Sequence, residues 1–432
     1  MERGPLIMVG RKCIGSNAGR LPPLRRLLIL SLLAGALFSL RAEGQSPLDA
    51  ADTEKALQIL DGGYTADLLH CKIQPQKPFL DFAFRFDVGY VISCPLRTFG
   101  GRESTVTSFV RVTPEGGKPV LLGEMFHLPA MSAEMNDVKN ARKLDQRTEA
   151  SGGFAVGEGQ YKVEVLVADR ESGRSSRKTW TARTVWSRSQ QALQATLPAS
   201  TVMPMAVRPR QFKVDTSGKG LRLTILLDAA PTNPREQKLR AWDRSFLLGS
   251  LSTLLEQVPC ASVRVVALNL DQQREVFRQD QFEDEDFAKL AVALRNLELG
   301  TVSYQVLQQH QDWLTMLVGF ANQELTARDP SDAVIILGPY SRYRQPVPRN
   351  MLKVRETPNP YFCYFEYLPG DLRNYRIPDT LHSLTKRLNG SVYDIQSASD
   401  LGHAIQKMLA QVHPSEPPPV NSRWPARPAP KQ

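Results

Sequence analysis

The chain has 432 residues and a formal net charge of +10, a length that predicts two or three domains. Residues 1–44 carry seven basic and two acidic groups, and the remaining residues have a net charge of +5. This mild surplus is not typical of a nucleic-acid-binding protein.

Residues 1–44 are predicted to be a secretory signal peptide. Arg25 and Arg26 precede an uncharged apolar run at 27–40, which small and polar residues follow. This order is typical of secretory signals, and the run is shorter than the ~20 residues that span a bilayer. Cleavage is expected near 42–44; a start at Met8 and an uncleaved anchor are alternatives. We therefore expect a secreted, periplasmic or cell-envelope protein that meets the membrane only through this segment.

A linker with a short helix is predicted at 45–78, and a β-sandwich-like domain at 79–187. Short runs in the second range alternate apolar and polar residues and are separated by turn signals such as Pro114–Gly117, which favours a sandwich. Cys71 and Cys94 are the candidate disulfide pair, since exported chains permit disulfides. Cys260 and Cys363 are expected to be buried small hydrophobic residues.

A linker at 188–220 precedes a region in which strands alternate with helices. Strands are predicted at 221–228, 262–270, 302–307, 332–338, 361–368 and 391–395, and helices at 235–258, 284–299, 312–328, 379–390 and 397–412. This alternation predicts an α/β fold class with a doubly wound, mostly parallel sheet. Residues 413–432 are predicted to be a disordered Pro-rich tail.

Residues 221–412 resemble a von Willebrand factor A domain. The resemblance lies in LTILLD before a long amphipathic helix, in SVRVVALN, in DAVIILG, and in the closing order of helix, Asn-Gly, strand and helix. The whole chain is also similar to exported bacterial proteins related to this domain. The resemblance implies a Rossmann-like fold and a divalent cation at the carboxyl edge of the sheet, where such sheets bind ligands.

The cation site that the resemblance implies is degenerate in this sequence. The family pattern is Asp-x-Ser-x-Ser, a Thr from a second loop and an Asp at the end of a later strand. Asp228, Thr232 and Thr301 match the first Asp, the second Ser and, loosely, the loop Thr. Ala230 replaces the first Ser, and 336–339 lack the later Asp. This set is poor for Mg²⁺, so we expect no cofactor. Asp228 is instead expected to cap the following helix.

The sequence contains no HExxH, GxSxG, Walker A or GxGxxG motif. His382 and His403 lie on predicted helices and are expected to face solvent. The segment after the predicted strand at 332–338 combines aromatic and arginine side chains, a composition typical of interfaces. Its partner-contact candidates are Tyr340, Arg342, Tyr343 and Arg344.

These observations predict an exported, non-enzymatic protein of the adhesion type. Its protein partner is unidentified, its oligomeric state is open, and docking is expected at the loops after 228, 300 and 338. One alternative is a metal-dependent adhesion module that uses Asp228, Thr232 and Thr301 with Mg²⁺. A second is an envelope carbohydrate-binding protein or hydrolase.

Overall fold

The computed structural model describes most of the chain between residues 69 and 412. The described residues are 46–47, 54, 57–58, 60–61, 69–99, 103–128, 147–187, 190, 193, 195–205, 220–233, 235–299, 313–353, 359–368 and 377–412. The predicted signal peptide, the predicted strand at 302–307, Thr301 and the predicted tail lie outside them.

The described residues up to 205 fold into ten strands that pair antiparallel. They are β1 (Ser46–Pro47), β2 (Lys72–Pro75), β3 (Phe79–Leu80), β4 (Phe86–Pro95), β5 (Ser104–Pro114), β6 (Val120–Leu128), β7 (Arg147–Val156), β8 (Gly159–Asp169), β9 (Ser175–Thr184) and β10 (Val202–Pro204). One sheet has the order β1-β6-β5-β8-β9. The second has the order β10-β7-β4-β2, with β3 paired to β4.

The two antiparallel sheets share one apolar core. Alternate residues of β4, Val88, Tyr90 and Ile92, are buried in the same cluster as Val163 and Val165 of β8. Successive side chains on a strand point to opposite faces, so the alternation read from the sequence produces this core.

A disulfide joins Cys71 and Cys94 within the second sheet. Lys72 of β2 lies opposite Ser93 of β4, so the two cysteines face each other at the next position of the antiparallel pair. Cys260 and Cys363 are buried and free.

The residues from 221 onward form a third sheet with helices. Its strands are β11 (Leu221–Asp228), β12 (Cys260–Asn269), β13 (Arg274–Gln279), β14 (Ala333–Pro339), β15 (Tyr361–Tyr367) and β16 (Ser391–Ile395). The helices are α1 (Ala241–Gln257), α2 (Asp284–Arg295), α3 (Trp313–Thr326), α4 (Thr380–Arg387) and α5 (Ala398–Val412). Within the described ranges, no helix has the length and apolar character needed to cross a membrane.

The third sheet is mixed, with the order β13-β12-β11-β14-β15-β16. β13 pairs antiparallel with β12, and the other neighbours pair parallel. Side chains of α1, α2 and α5 join the core on one face, and side chains of α3 and α4 join the core on the other. β11 is almost entirely buried, as expected of a strand covered on both faces.

The predicted fold class, α/β with a doubly wound, mostly parallel sheet, is wrong for this protein. Among the described residues, strand (41%) exceeds helix (28%), and two of the three sheets formed there are antiparallel throughout. Parallel pairs are confined to the third sheet, which has an antiparallel edge strand. This strand has no signal in the sequence, because only Val276 and Phe277 are apolar in β13 and adjacent apolar residues do not give a period of two.

The sandwich also extends beyond its predicted boundaries of 79 and 187. β1 and β2 lie in the predicted linker at 45–78, and β10 lies in the predicted linker at 188–220. β10 pairs with β7, with Val202 opposite Val156. These strands have two to four residues, too few to show a hydrophobic period.

Candidate interaction site at the carboxyl edge of the mixed sheet

The carboxyl ends of neighbouring parallel strands meet at one edge of the mixed sheet. Asp228 ends β11, Pro339 ends β14 and Tyr367 ends β15. In the sheet, β11 lies between β12 on one side and β14 on the other, so the strand order reverses at β11. Sheets of this kind bind ligands in the crevice where the strand order reverses. Asp228 and the segment after β14 therefore occupy the position where a ligand or partner is expected.

Asp228 is a buried acid at this edge. The residue is 5% exposed, and its Oδ1 atom has no hydrogen-bond partner in the described part of the chain. Burial raises the pKa of Asp228 well above its ordinary value, and the nearby Asp271 and Asp379 raise it further. The carboxyl group therefore keeps its proton to a higher pH than an exposed aspartate does.

Asp228 does not cap the helix that follows it, so that prediction is wrong. α1 begins at Ala241, with Arg240 as the N-cap residue. Asp243 supplies the carboxylate: its Oδ2 accepts the Arg240 N–H at 2.9 Å. Its Oδ1 accepts the N–H of Thr232 at 3.0 Å and the Thr232 hydroxyl at 2.7 Å. A side-chain cap serves only the first turn, and Asp228 lies too far before it.

The strand end opposite Asp228 has no room for the carboxylate that the family site requires. Gly338 occupies this position on β14. A Cβ atom at Gly338 would lie 2.6 Å from the Asp228 Cβ, closer than two such atoms can approach. Where the implied cation site would have its second acid, β11 and β14 therefore pack directly against each other.

The donors at this edge do not fit a divalent cation. Asp228 is buried, which raises its pKa, Ala230 has no side-chain oxygen, and the Thr232 hydroxyl is donated to Asp243. Thr301 lies outside the described residues. Across the described ranges, no three acidic, histidine or cysteine side chains are grouped so as to hold a metal ion. Mg²⁺ needs a near-octahedral set of oxygen ligands, which these groups do not supply.

The predicted contact residues lie on the segment that follows β14, and one of them is an internal anchor. The ring of Tyr343 stacks on Trp313 with 4.2 Å between centroids. The Tyr343 hydroxyl donates to Asp271 Oδ1 at 2.7 Å. Burial, reinforced by this bond, raises the pKa of Tyr343 to about 12, so the hydroxyl remains a donor at neutral pH. Tyr343 therefore fixes the segment instead of offering a free contact.

The two arginines of this segment are held at the surface. The Arg342 guanidinium lies 5.5 Å from the centroid of the Tyr343 ring and pairs with Asp271 at 2.8 Å, and its side chain is 52% exposed. The Arg344 guanidinium lies 4.4 Å from the centroid of the Tyr340 ring and donates to the hydroxyl of that residue. Cation–π contacts of this kind are attractive. Two positive groups are thereby presented in defined positions.

Asp379 ties the arginine segment to α4. As the N-cap residue it accepts the His382 N–H at 2.8 Å, and its second oxygen accepts the Ser341 N–H at 2.7 Å. Burial raises the pKa of Asp379, and these two hydrogen bonds partly oppose that rise. The carboxyl group thus links the loop to the start of the helix.

Three acidic residues that organise this edge were not predicted from the sequence. They are Asp243, Asp271 and Asp379. Asp379 stands directly before a helical pattern, which is the signal of an N-cap. Asp271 directly follows the predicted strand at 262–270. The role of Asp243 has no such signal, since the predicted helix at 235–258 places this residue inside the helix.

Comparisons with known proteins do not identify the chain. No protein-family model and no curated protein matches it. Several solved structures align weakly, among them three bacterial proteins. For Bacteroides uniformis β-glucuronidase 2, the identity is 10% over 80% of this chain and 39% of that chain, with a TM-score of 0.19. A putative β-galactosidase of Bacteroides fragilis has 10% identity over 69% of this chain and 42% of that chain, with a TM-score of 0.18.

The third solved structure is a glycosyl hydrolase family 2 member of Bacteroides cellulosilyticus. Its identity is 10% over 75% of this chain and 41% of that chain, with a TM-score of 0.18. The chain therefore spans about two fifths of the length of these enzymes. TM-scores this low do not establish a shared fold, and we infer no activity from them.

Asp228 is expected to make stability depend on pH. Above about pH 3.8 the unfolded chain releases this proton, while the folded protein retains it because the pKa of Asp228 is raised. Stability therefore falls as the pH rises towards the folded-state pKa, by up to about 1.4 kcal/mol per pH unit. We expect Asp228→Asn to reduce this slope, to which the buried Asp87 and Asp379 also contribute, and to be more stable than the unmodified protein at neutral pH. Urea unfolding between about pH 4 and pH 8 measures both effects.

The matched control is Asp284→Asn, at an exposed position in the first turn of α2. This variant is expected to keep the slope of the unmodified protein. If the stability of the unmodified protein and that of Asp228→Asn changed equally with pH, Asp228 would not be a source of the pH dependence.

Proposed function

We propose that this protein is an exported, non-enzymatic interaction protein that binds a protein partner at the carboxyl edge of the mixed sheet. The observation that supports this most directly is the anchored segment from Tyr340 to Arg344. Tyrosine and arginine are enriched among the residues that dominate binding energy. Side chains that are already fixed lose less entropy on association.

We further propose that binding needs no bridging cation. Asp228 is buried in a setting that raises its pKa, and Gly338 leaves no space for a second acid beside it. The exposed charges of the segment are the guanidinium groups of Arg342, which already pairs with Asp271, and Arg344. Arginine pairs well with carboxylates through two parallel hydrogen bonds. The expected partner therefore presents acidic side chains to this surface.

Affinity capture from secreted and envelope fractions of the source cells tests this proposal. The purified protein is compared with Arg342→Ala/Arg344→Ala in buffers that contain either EDTA or Mg²⁺. The control, Arg328→Ala/Arg349→Ala, removes two exposed arginines outside this segment. We expect a defined protein to be captured equally in both buffers, retained by the control, and lost with the Arg342/Arg344 variant. Thermal melting of each variant checks that it is folded.

Other outcomes point to the alternatives. Capture that requires Mg²⁺ would favour the metal-dependent adhesion module. Equal capture by the Arg342/Arg344 variant would move the interface elsewhere. Release of sugars from envelope polysaccharide would contradict the non-enzymatic proposal.

A further inference from the structure

A second surface lies at the open edge of the mixed sheet, along β16. This is the last strand in the sheet order, and its outer side pairs with no other strand of the described ranges. Within a parallel pair, successive residues direct their N–H and C=O groups to opposite sides. The Leu368 N–H donates to the Ile395 carbonyl at 3.1 Å, so Ile395 and Tyr393 face β15. Val392 therefore directs its N–H and C=O towards the open side.

The two edges of the sheet differ in charge. β13, at the opposite edge, carries Arg274, Glu275 and Arg278, and Arg278 forms ion pairs with Glu275 and Asp280. Charged side chains of this kind protect an edge strand from pairing with another chain. β16 has the sequence SVYDI, with one charged residue. Its backbone is therefore the better template for an added strand.

A groove of about 420 Å³ runs beside β16, between α4 and α5. These helices belong to the cores on opposite faces of the sheet. Each helix contributes one histidine and one lysine four residues apart to the groove. The pairs are His382 with Lys386 and His403 with Lys407. Both histidines, which the sequence analysis expected simply to face solvent, thus line one groove.

The groove is lined by two lysines and two aspartates, so the charge that it attracts depends on which of them are already engaged. Asp394 has an interaction partner of its own. Asp400 is engaged at the start of α5, where its Oδ2 accepts the N–H of Ser397 at 3.0 Å and the hydroxyl of Ser397 at 2.9 Å. The ion pairs within the described residues include neither Lys386 nor Lys407. Two ammonium groups, one above and one below the sheet edge, are therefore available to an incoming acid.

We infer that the β16 edge binds an extended segment of a partner protein that carries two consecutive acidic residues. The backbone of the segment pairs with Val392, in the manner of strand addition. Successive side chains of a strand point to opposite faces. One acidic side chain therefore meets Lys386 on the α4 side, and the next meets Lys407 on the α5 side. This site is separate from the arginine segment after β14.

A fluorescein-labelled peptide, Thr-Val-Glu-Glu-Val-Thr, tests this inference by fluorescence anisotropy with the full chain. We expect saturable binding that is lost with Thr-Val-Gln-Gln-Val-Thr. Lys386→Glu/Lys407→Glu is expected to weaken binding by about tenfold or more, because two attractions become repulsions. Val392→Pro is expected to weaken binding too, since it removes an outward N–H and leaves the pairing with β15 intact.

Two controls separate this site from general charge and from the proposed function. Lys118→Glu/Lys353→Glu reverses two exposed lysines elsewhere and is expected to bind the peptide normally. Arg342→Ala/Arg344→Ala is also expected to bind it normally, whatever its effect on partner capture. Absence of peptide binding to the unmodified protein, or equal binding by Lys386→Glu/Lys407→Glu, would overturn the inference. The inference would also be overturned if inorganic phosphate displaced the peptide and Val392→Pro bound it normally. That result would show that the groove binds only a small anion.

Discussion

Gly338→Ala is expected to lower the free energy of unfolding by about 1–3 kcal/mol, the usual cost of overpacking a core. The added Cβ would lie 2.6 Å from the Asp228 Cβ, 3.3 Å from the Asp228 carbonyl oxygen and 3.4 Å from its Cα. These atoms belong to, or lie next to, the backbone of β11 in the middle of the sheet. Relief of the clash therefore requires β11 and β14 to separate.

Gly338→Asp is expected to have a larger effect and to prevent folding. It introduces the same clash and adds a second buried carboxyl group beside Asp228, whose pKa is already raised by burial and by nearby acids. An unpaired buried charge is strongly destabilising. Although this change restores the family's acid in sequence, we expect that Mg²⁺ will not rescue the variant.

Gly319→Ala is the matched control for these substitutions. Gly319 lies in α3, and a Cβ there meets nothing within 4 Å. Alanine is favoured over glycine inside a helix by about 0.5–1 kcal/mol, so this variant is expected to be at least as stable as the unmodified protein. Urea unfolding of all three variants measures the effects. If Gly338→Asp were stable and bound Mg²⁺, the predicted clash between position 338 and Asp228 would be disproved. The metal-dependent adhesion module would then be favoured.

Loss of the Cys71–Cys94 disulfide is the second large effect that we expect. The bond closes a loop with a sequence separation of 23 residues. In the chain-entropy description, removing such a cross-link costs about 3 kcal/mol, because the unfolded chain gains freedom. Cys71→Ser/Cys94→Ser is therefore expected to lower the free energy of unfolding by about this amount.

A reductant provides the control for the disulfide prediction. Urea unfolding of the unmodified protein with dithiothreitol should approach that of Cys71→Ser/Cys94→Ser. The double variant itself should not respond to the reductant. A response in the double variant, or equal stability of the two oxidised proteins, would show that this bond does not carry the stabilisation.

Long elements with a clear hydrophobic period could be located from the sequence. The predicted strand at 221–228 has the bounds of β11, and the predicted helix at 397–412 differs from α5 by one residue. Local pattern is sufficient here because one face, or both faces, of each element are buried in an apolar core. β1, β2, β10 and β13 were not located, since short or mixed-polarity strands depend on the neighbour with which they pair.

The site at the carboxyl edge was only partly predictable, because some of its features depend on contacts between distant segments. The missing oxygen ligand at Ala230 can be read from the sequence, as can the arginines at 342 and 344. The relation of Gly338 to Asp228 cannot, because it arises from strands more than a hundred positions apart that pair side by side. The capping partner of α1 and the anchor between Tyr343 and Asp271 likewise depend on contacts between separate elements.

The sequence by itself determined where the principal strands and helices lie and which residues of the implied cation site lack oxygen donors. Hydrophobic period and side-chain chemistry are local properties, so the residues alone carry them. Only the tertiary structure decided the pairing direction of the strands, the burial of Asp228 against Gly338, and the meeting of His382–Lys386 with His403–Lys407 at one sheet edge. Those features depend on which distant segments become neighbours, and their energies come from burial and close packing that exist only in the folded chain.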